Sequence, residues 1–229
     1  MATPDEVDGH EAPPESESGT TTESVFPDAE TIKEELITGP WVEAVLAGVA
    51  SFILGYIIIA SFFIIGPASV LPEVSSRNMY AYVFYNTHFV DLLSIVPEDV
   101  VLAGPKRINI VIEQWGQSSI PGPLWLATPV AVLTTAGAVI AAIHGDRLDS
   151  QAAGFIGIGM ALGYVLLALF GTYLFAQTPS SELTVRPDRQ LAIAAGLFYP
   201  LLFGTLGAVI INAFRQFGSR SQDEAKTEE

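Results

Sequence analysis

The chain has 229 residues and a net charge of −15; half of its residues are apolar, 15% are charged and none is cysteine. The missing cysteines exclude disulfides, thiol nucleophiles and cysteine-ligated zinc within this sequence. Soluble domains carry about 25% charged residues, so this composition indicates a membrane protein rather than one or two soluble domains.

The first 38 residues differ from the rest in composition. They hold eleven of the 25 acids and one base, Lys33, with almost no large apolar residue before Val25. Such a segment cannot bury enough surface to offset its ordering entropy, so we expect residues 1–38 to be a disordered acidic tail. The chain has only three lysines beside its 25 acids. This bias predicts a halophilic protein, and an ordinary acidic tail is the plainer interpretation.

Four apolar runs follow, and each is long enough for the roughly 20 residues that cross a bilayer. We place the transmembrane helices at residues 41–66, 122–143, 152–178 and 190–214, with a polar tail at 215–229. Helices of soluble proteins are rarely this apolar on every side. The sequence therefore predicts an all-α membrane bundle of four transmembrane helices.

Small residues recur at helical spacing inside the third and fourth spans. In lipid, such residues let helix backbones approach closely, so we predict that they mark helix–helix contacts. The residues chosen are Gly159, Gly163, Gly196 and Gly204.

Two prolines lie inside predicted spans. Pro129 and Pro200 each remove one backbone hydrogen bond and are expected to kink the second and fourth helices. Two interpretations of these prolines are open: a static kink that improves helix packing, and a hinge for gating. We adopt the static kink.

Residues 67–121, between the first two spans, are too long for a simple connection. Residues 79–96 are apolar and rich in aromatics, which predicts a helix that is interfacial or re-entrant. A fifth span there would bury a histidine and an aspartate. Residues 100–115 contain two β-type runs around a Gly-Pro turn, typical of a hairpin. Together they predict a small extracellular α+β cap between spans 1 and 2.

The chemical candidates lie in this cap. On the predicted helix His88 and Asp91 are three residues apart, and Arg77 lies just before the start of that helix. A histidine and a carboxylate at this spacing could hold a metal or transfer a proton. A metal usually needs three or four ligands, and the cap has no second histidine. We therefore adopt the structural alternative, in which Asp91 accepts the imidazole N–H. We predict no metal, cofactor or catalytic residue.

The aromatic stretch from Ala81 to Asp91, AYVFYNTHFVD, and the acidic tail together resemble a group of uncharacterised haloarchaeal polytopic membrane proteins. The resemblance implies a location in the plasma membrane and agrees with the high-salt interpretation of the charge bias. It implies no activity and no catalytic residue.

Lysine and arginine near the span ends normally indicate orientation. If the N-terminus is inside, five such residues lie on each side, so this rule does not decide. We predict cytoplasmic N- and C-termini because the loop with Arg147 is the shortest.

No phosphate-binding loop, metalloprotease motif or mid-span charge is present in the sequence. We therefore predict a non-catalytic scaffold, accessory subunit or envelope component. A small-solute transporter or channel, acting as an oligomer, is the alternative, and an enzyme based on His88 and Asp91 is a third. The expected partners are the lipid bilayer and a membrane protein or second copy of the chain, but not nucleic acid.

Overall fold

The computed structural model of the protein describes residues 40–65, 74–96, 104–113, 120–144, 150–180 and 183–227. The predicted acidic tail and the first strand of the predicted hairpin, at 100–102, lie outside these residues.

Four helices are long and apolar enough to cross a membrane: Trp41–Ile64, Gly122–His144, Ala153–Leu174 and Arg189–Phe217. They coincide with the four predicted spans, so the chain is compatible with a multi-pass membrane protein.

The first three spans are continuous helices whose ends follow from the local sequence. Helix α1 covers Trp41–Ile65 and ends just before a Gly-Pro pair. Between it and the second span lie α2, Ser76–Asn86, and the short α3, Ile110–Glu113. Helix α4, Gly122–His144, contains Pro129. Helix α5, Ser150–Leu174, is shorter than the predicted third span, which was placed to residue 178.

The fourth span is interrupted. Helix α6, Arg189–Tyr199, passes into a π-helical segment, Pro200–Gly204, and continues as α7, Thr205–Thr227. Proline cannot donate to the helical ladder, and a π turn accommodates the missing bond. Helix α7 packs extensively against α4, whereas α6 packs mainly on α5. The half of the fourth span before the π segment therefore stands away from α4.

Glycine brings the helix backbones into direct contact. A Cβ atom would overlap a carbonyl oxygen of a neighbouring helix at Gly48 on Met160, Gly163 on Val45, Gly137 on Gly204 and Gly207 on Thr134. The other predicted packing glycines also lie at close contacts: Gly159 faces Ala44, Gly196 faces Val165 and Gly204 faces Met160. Helices that touch through backbone leave little room between them.

The prediction of one helix over residues 79–96 was wrong. Helix α2 ends at Asn86, a turn covers Thr87 to Phe89, and strand β1 runs from Leu92 to Ile95. Phe89 has a φ of 58°, in the left-handed region, which a continuing helix cannot contain. We call residues 76–91, which form α2 and its turn, the wedge.

A four-stranded antiparallel sheet, in the order β2-β1-β4-β3, is formed by the connections that follow the first and third spans. The other strands are β2, Lys106–Ile108, β3, Gln177–Ser180, and β4, Leu183–Pro187. One expectation was wrong here, that of a strand over residues 108–115. The strand at 106–108 pairs with β1, and the chain then turns into α3 instead of extending the hairpin to 115.

The sheet also corrects the predicted position of the cap between spans 1 and 2 alone. Strand β1 follows the first span, β4 precedes the fourth, and the two pair over four residues. The connections after the first and third spans therefore lie at the same end of the bundle. This is the arrangement that four spans require.

Candidate functional site

The turn of the wedge lies deep among the helices. Asn86 and Thr87 are fully buried, and His88 is 5% exposed. The His88 ring contacts Tyr164 and Tyr199. Tyr164 lies ten residues before the end of α5, and Tyr199 ten residues after the start of α6. Ten helical residues span about 15 Å, so the turn reaches towards the middle of the bundle.

Side-chain hydrogen bonds replace the helical ladder where α2 ends. The Asn86 amide nitrogen donates to the Val90 carbonyl at 2.7 Å, and its amide oxygen accepts from the Ile110 backbone N–H at 2.8 Å. The Thr87 hydroxyl donates to the Phe84 carbonyl at 2.6 Å. These bonds satisfy polar groups that would otherwise be buried without partners, so the turn can lie inside the bundle.

Both ring nitrogens of His88 have partners. Nδ1 lies 2.8 Å from the Phe84 carbonyl oxygen, which can only accept, so Nδ1 carries the proton. In the neutral ring Nε2 is then an acceptor. The Tyr164 hydroxyl lies 2.6 Å away and donates to it. Hydrogen bonding therefore places a proton on Nδ1 and fits a neutral ring that accepts from Tyr164 at Nε2.

Burial acts in the same direction. It lowers the pKa of His88 from 6.5 to about 4, against the opposing effect of the bond to the Phe84 carbonyl. The cavity beside the ring measures about 10 Å³, at the lower limit for one water molecule. The arrangement suits a hydrogen-bonded joint between the wedge and the spans, and it leaves no room there for a substrate.

The predicted cluster of His88, Asp91 and Arg77 does not form. Asp91 instead lies 3.8 Å from Arg107, and the Arg77 carbonyl accepts a hydrogen bond from Tyr56 at 3.3 Å. The helical spacing that joined His88 to Asp91 is lost because α2 ends before both residues. Within the described ranges, no three histidine, aspartate or glutamate side chains converge on one point.

A second polar group joins the sheet to the fourth span. Asp188 caps α6, accepting from the backbone N–H groups of Gln190 and Leu191 at 2.9 and 3.4 Å. Its other oxygen lies 3.2 Å from Arg107, and its own N–H donates to the Asp91 carbonyl at 2.8 Å. We call this group, Asp91, Arg107 and Asp188, the junction.

Sequence reasoning did not select Tyr164, Tyr199 or Arg107 as site residues. Three consecutive polar residues, Asn86 to His88, within an aromatic stretch were the local signal of a buried turn. Tyr164 and Tyr199 lie inside apolar spans, and nothing in their spacing pairs them with His88. Their contact depends on how α2 packs between α1, α5 and α6.

The described residues thus form a four-helix bundle with a wedge at one end, and its four long apolar helices are compatible with a multi-pass membrane protein. The family model for DUF7978, a family of unknown function, matches residues 28–215, and the chain belongs to this family. No curated protein and no solved structure matches the chain. The match agrees with the expected relation to a family without an assigned activity, whereas a haloarchaeal origin stays a prediction.

Proposed function

We propose that the chain is a multi-pass membrane protein with a structural role, as a non-catalytic scaffold, accessory subunit or envelope component. The observation that carries the proposal is the closed centre of the bundle. Glycine contacts join α1 to α5 and α4 to the fourth span through backbone atoms, and the wedge fills the space beside α6. A rigid body of this kind suits holding or positioning another membrane component.

Two cavities among the described residues support this proposal. A solute pathway needs a continuous polar channel through the spans. The cavity of about 480 Å³ between α1 and α4 is lined almost entirely by alanine and branched aliphatic side chains, with Ser51 and Thr135 as the polar members. It is separate from the small space beside His88. These spaces do not form a route for a polar solute.

A small-solute transporter or channel is the second candidate, and the π segment favours it. Such segments often occur at functional sites and at points where a helix bends. This one begins directly after Tyr199, whose ring centroid lies 5.0 Å from that of His88. A movement at Pro200 would therefore displace Tyr199 and change its contact with His88 of the wedge.

The two candidates are distinguished by the reactivity of single cysteines inside the spans. Cysteine replaces Ser51, Thr135 or Thr205 in this cysteine-free chain, reconstituted in liposomes, and a membrane-impermeant maleimide is added. Lys106→Cys, at an exposed cap position, is the reactive control. The structural role predicts labelling of the control alone. Labelling of Thr205→Cys at a rate near that of the control would reveal a water-filled path and favour transport.

The plasma membrane, cytoplasmic termini and a membrane-protein partner or second copy belong to the same proposal. The predicted halophilic character also belongs to it and is supported by the low lysine content.

A further inference from the structure

Two arginines lie where the cap meets the fourth span. Strand β4 ends at Pro187 and α6 begins at Arg189, so Arg186 and Arg189 lie within three residues of each other at this boundary. In a multi-pass protein, the end of a span lies beside the headgroup layer of the bilayer. This step depends on the proposed membrane placement.

Two carboxylates of the described residues near this boundary, Asp91 and Asp188, share one arginine as their partner. Arg107 pairs with Asp188 at 3.2 Å and with Asp91 at 3.8 Å. In the sheet, Leu93 of β1 lies directly opposite Arg107 of β2 and Arg186 of β4. Directly opposite residues point to the same face of a sheet, so the side chains of both arginines leave the sheet on one face. Arg107 is thus occupied by the junction, whereas the side chain of Arg186 forms no ion pair or hydrogen bond in the part of the chain that the structure describes.

Arg189 is positioned by an aromatic ring rather than by a carboxylate. Its guanidinium carbon lies 3.9 Å from the centroid of Tyr173, which is 56% exposed at the end of α5. Its Nε is buried and has no hydrogen-bond acceptor among the described residues, so a phosphate would meet the terminal nitrogens of the guanidinium. Stacking covers one flat face of a guanidinium and leaves its in-plane donors for other acceptors.

We propose that Arg186 and Arg189, with Tyr173 as the stacking platform, bind the phosphate of an anionic membrane lipid in the leaflet on the cap side. Guanidinium donors match phosphate oxygens in geometry and charge. Phosphates are the abundant acceptors at this depth, and the Arg107 guanidinium offsets part of the negative charge of Asp91 and Asp188.

The test is a thermal-unfolding titration of the full-length protein in detergent micelles. Phosphatidylglycerol, phosphatidylcholine or inorganic phosphate is added to the wild type and to the double variant R186Q/R189Q. The control R77Q/K106Q removes the same charge from other positions on the cap side. Tyr173→Leu removes the stacking platform and keeps both charges.

Phosphatidylglycerol should raise the melting temperature of the wild type and of the control. The mole fraction of lipid that gives half of the maximal rise should be the same for both proteins. In R186Q/R189Q this fraction should rise at least about tenfold, because charge-assisted hydrogen bonds are lost. Tyr173→Leu should give a smaller rise. Phosphatidylcholine and inorganic phosphate should have weaker effects.

Equal loss of the response in R77Q/K106Q would show diffuse attraction and overturn the site. An equal response to inorganic phosphate would identify a free-anion site instead of a lipid site. Extraction of native membranes with alkaline carbonate is a separate check on placement. If the wild type is released by carbonate, the membrane proposal fails, and that failure is visible without reference to the arginines.

Discussion

At the scale of single residues, His88 joins the wedge to α5: its Nδ1 bonds the Phe84 carbonyl within the wedge, and its Nε2 bonds Tyr164 of α5. Replacing it with leucine leaves the Tyr164 hydroxyl without its partner and removes one of the two bonds to the Phe84 carbonyl, at a cost of about 1–3 kcal/mol in the free energy of unfolding. Glutamine keeps one donor and one acceptor, so His88→Gln should cost less. Chemical unfolding in detergent measures both. Equal destabilisation by the two variants would show that ring shape matters more than hydrogen bonding.

The charge state of His88 gives a separate prediction. Its pKa is about 4 when buried and 6.5 when unperturbed, so between these values the unfolded chain binds a proton that the folded chain does not. The free energy of unfolding should therefore fall as the pH drops from about 6.5 to 4, by about 3 kcal/mol at pH 4. Above pH 7 this contribution is constant.

The matched control for the pH effect is His88→Gln, which retains the other titrating groups and lacks the imidazole. The stability of the wild type relative to this variant, followed from pH 7.5 to 4, isolates the contribution of His88. A constant difference over that range would mean that the histidine titrates normally, and the buried neutral assignment would be wrong.

At the scale of elements, α5 offers two glycines in opposite surroundings. A Cβ on Gly163 would overlap the Val45 carbonyl of α1, whereas a Cβ on Gly154 would have no neighbouring atom within 4 Å. Gly163→Ala should destabilise the bundle by about 1–3 kcal/mol because the backbones must separate. Gly154→Ala should be neutral or stabilising, since alanine favours a helix.

Thermal unfolding of the two alanine variants in the same detergent is the measurement. Since both substitutions add one methyl group to the same helix, propensity cancels in the comparison. Equal melting temperatures would show that α1 and α5 are not in backbone contact at Gly163.

The elements also show which parts of the fold a sequence can predict. The four spans were predicted because length and hydropathy alone determine them. The wedge was not, because the break at Phe89 depends on a left-handed residue that carries a large side chain. The third span was predicted too long because Phe175 and Ala176 are apolar. Pairing of Gln177 with Val185 instead places the following residues in a strand.

The candidate site was predicted only in part, for a related reason. His88 was selected for its chemistry, but its partner was taken to be Asp91, the nearest carboxylate along a helix. Tyr164 lies 76 positions away along the chain. Contacts between residues this far apart along the chain depend on the packing of three spans, which one sequence does not reveal.

At the scale of the whole molecule, the pairing of β1 with β4 determines the topology. These strands can pair only if the connections after the first and third spans lie on the same side of the membrane. A fifth span through residues 79–96 would place them on opposite sides. The number of spans, the shape of the cap and the proposed role of the protein all depend on this point.

Labelling of single cysteines with a membrane-impermeant maleimide, in sealed vesicles of one orientation, tests this most directly. The sites are Ser18, Gln117, Asp149 and Ser181 in the cysteine-free chain. Four spans predict that Gln117 and Ser181 react from one side and Ser18 and Asp149 from the other. Reaction of Ser18 and Gln117 from the same side would contradict the four-span bundle and the sheet that joins its two connections.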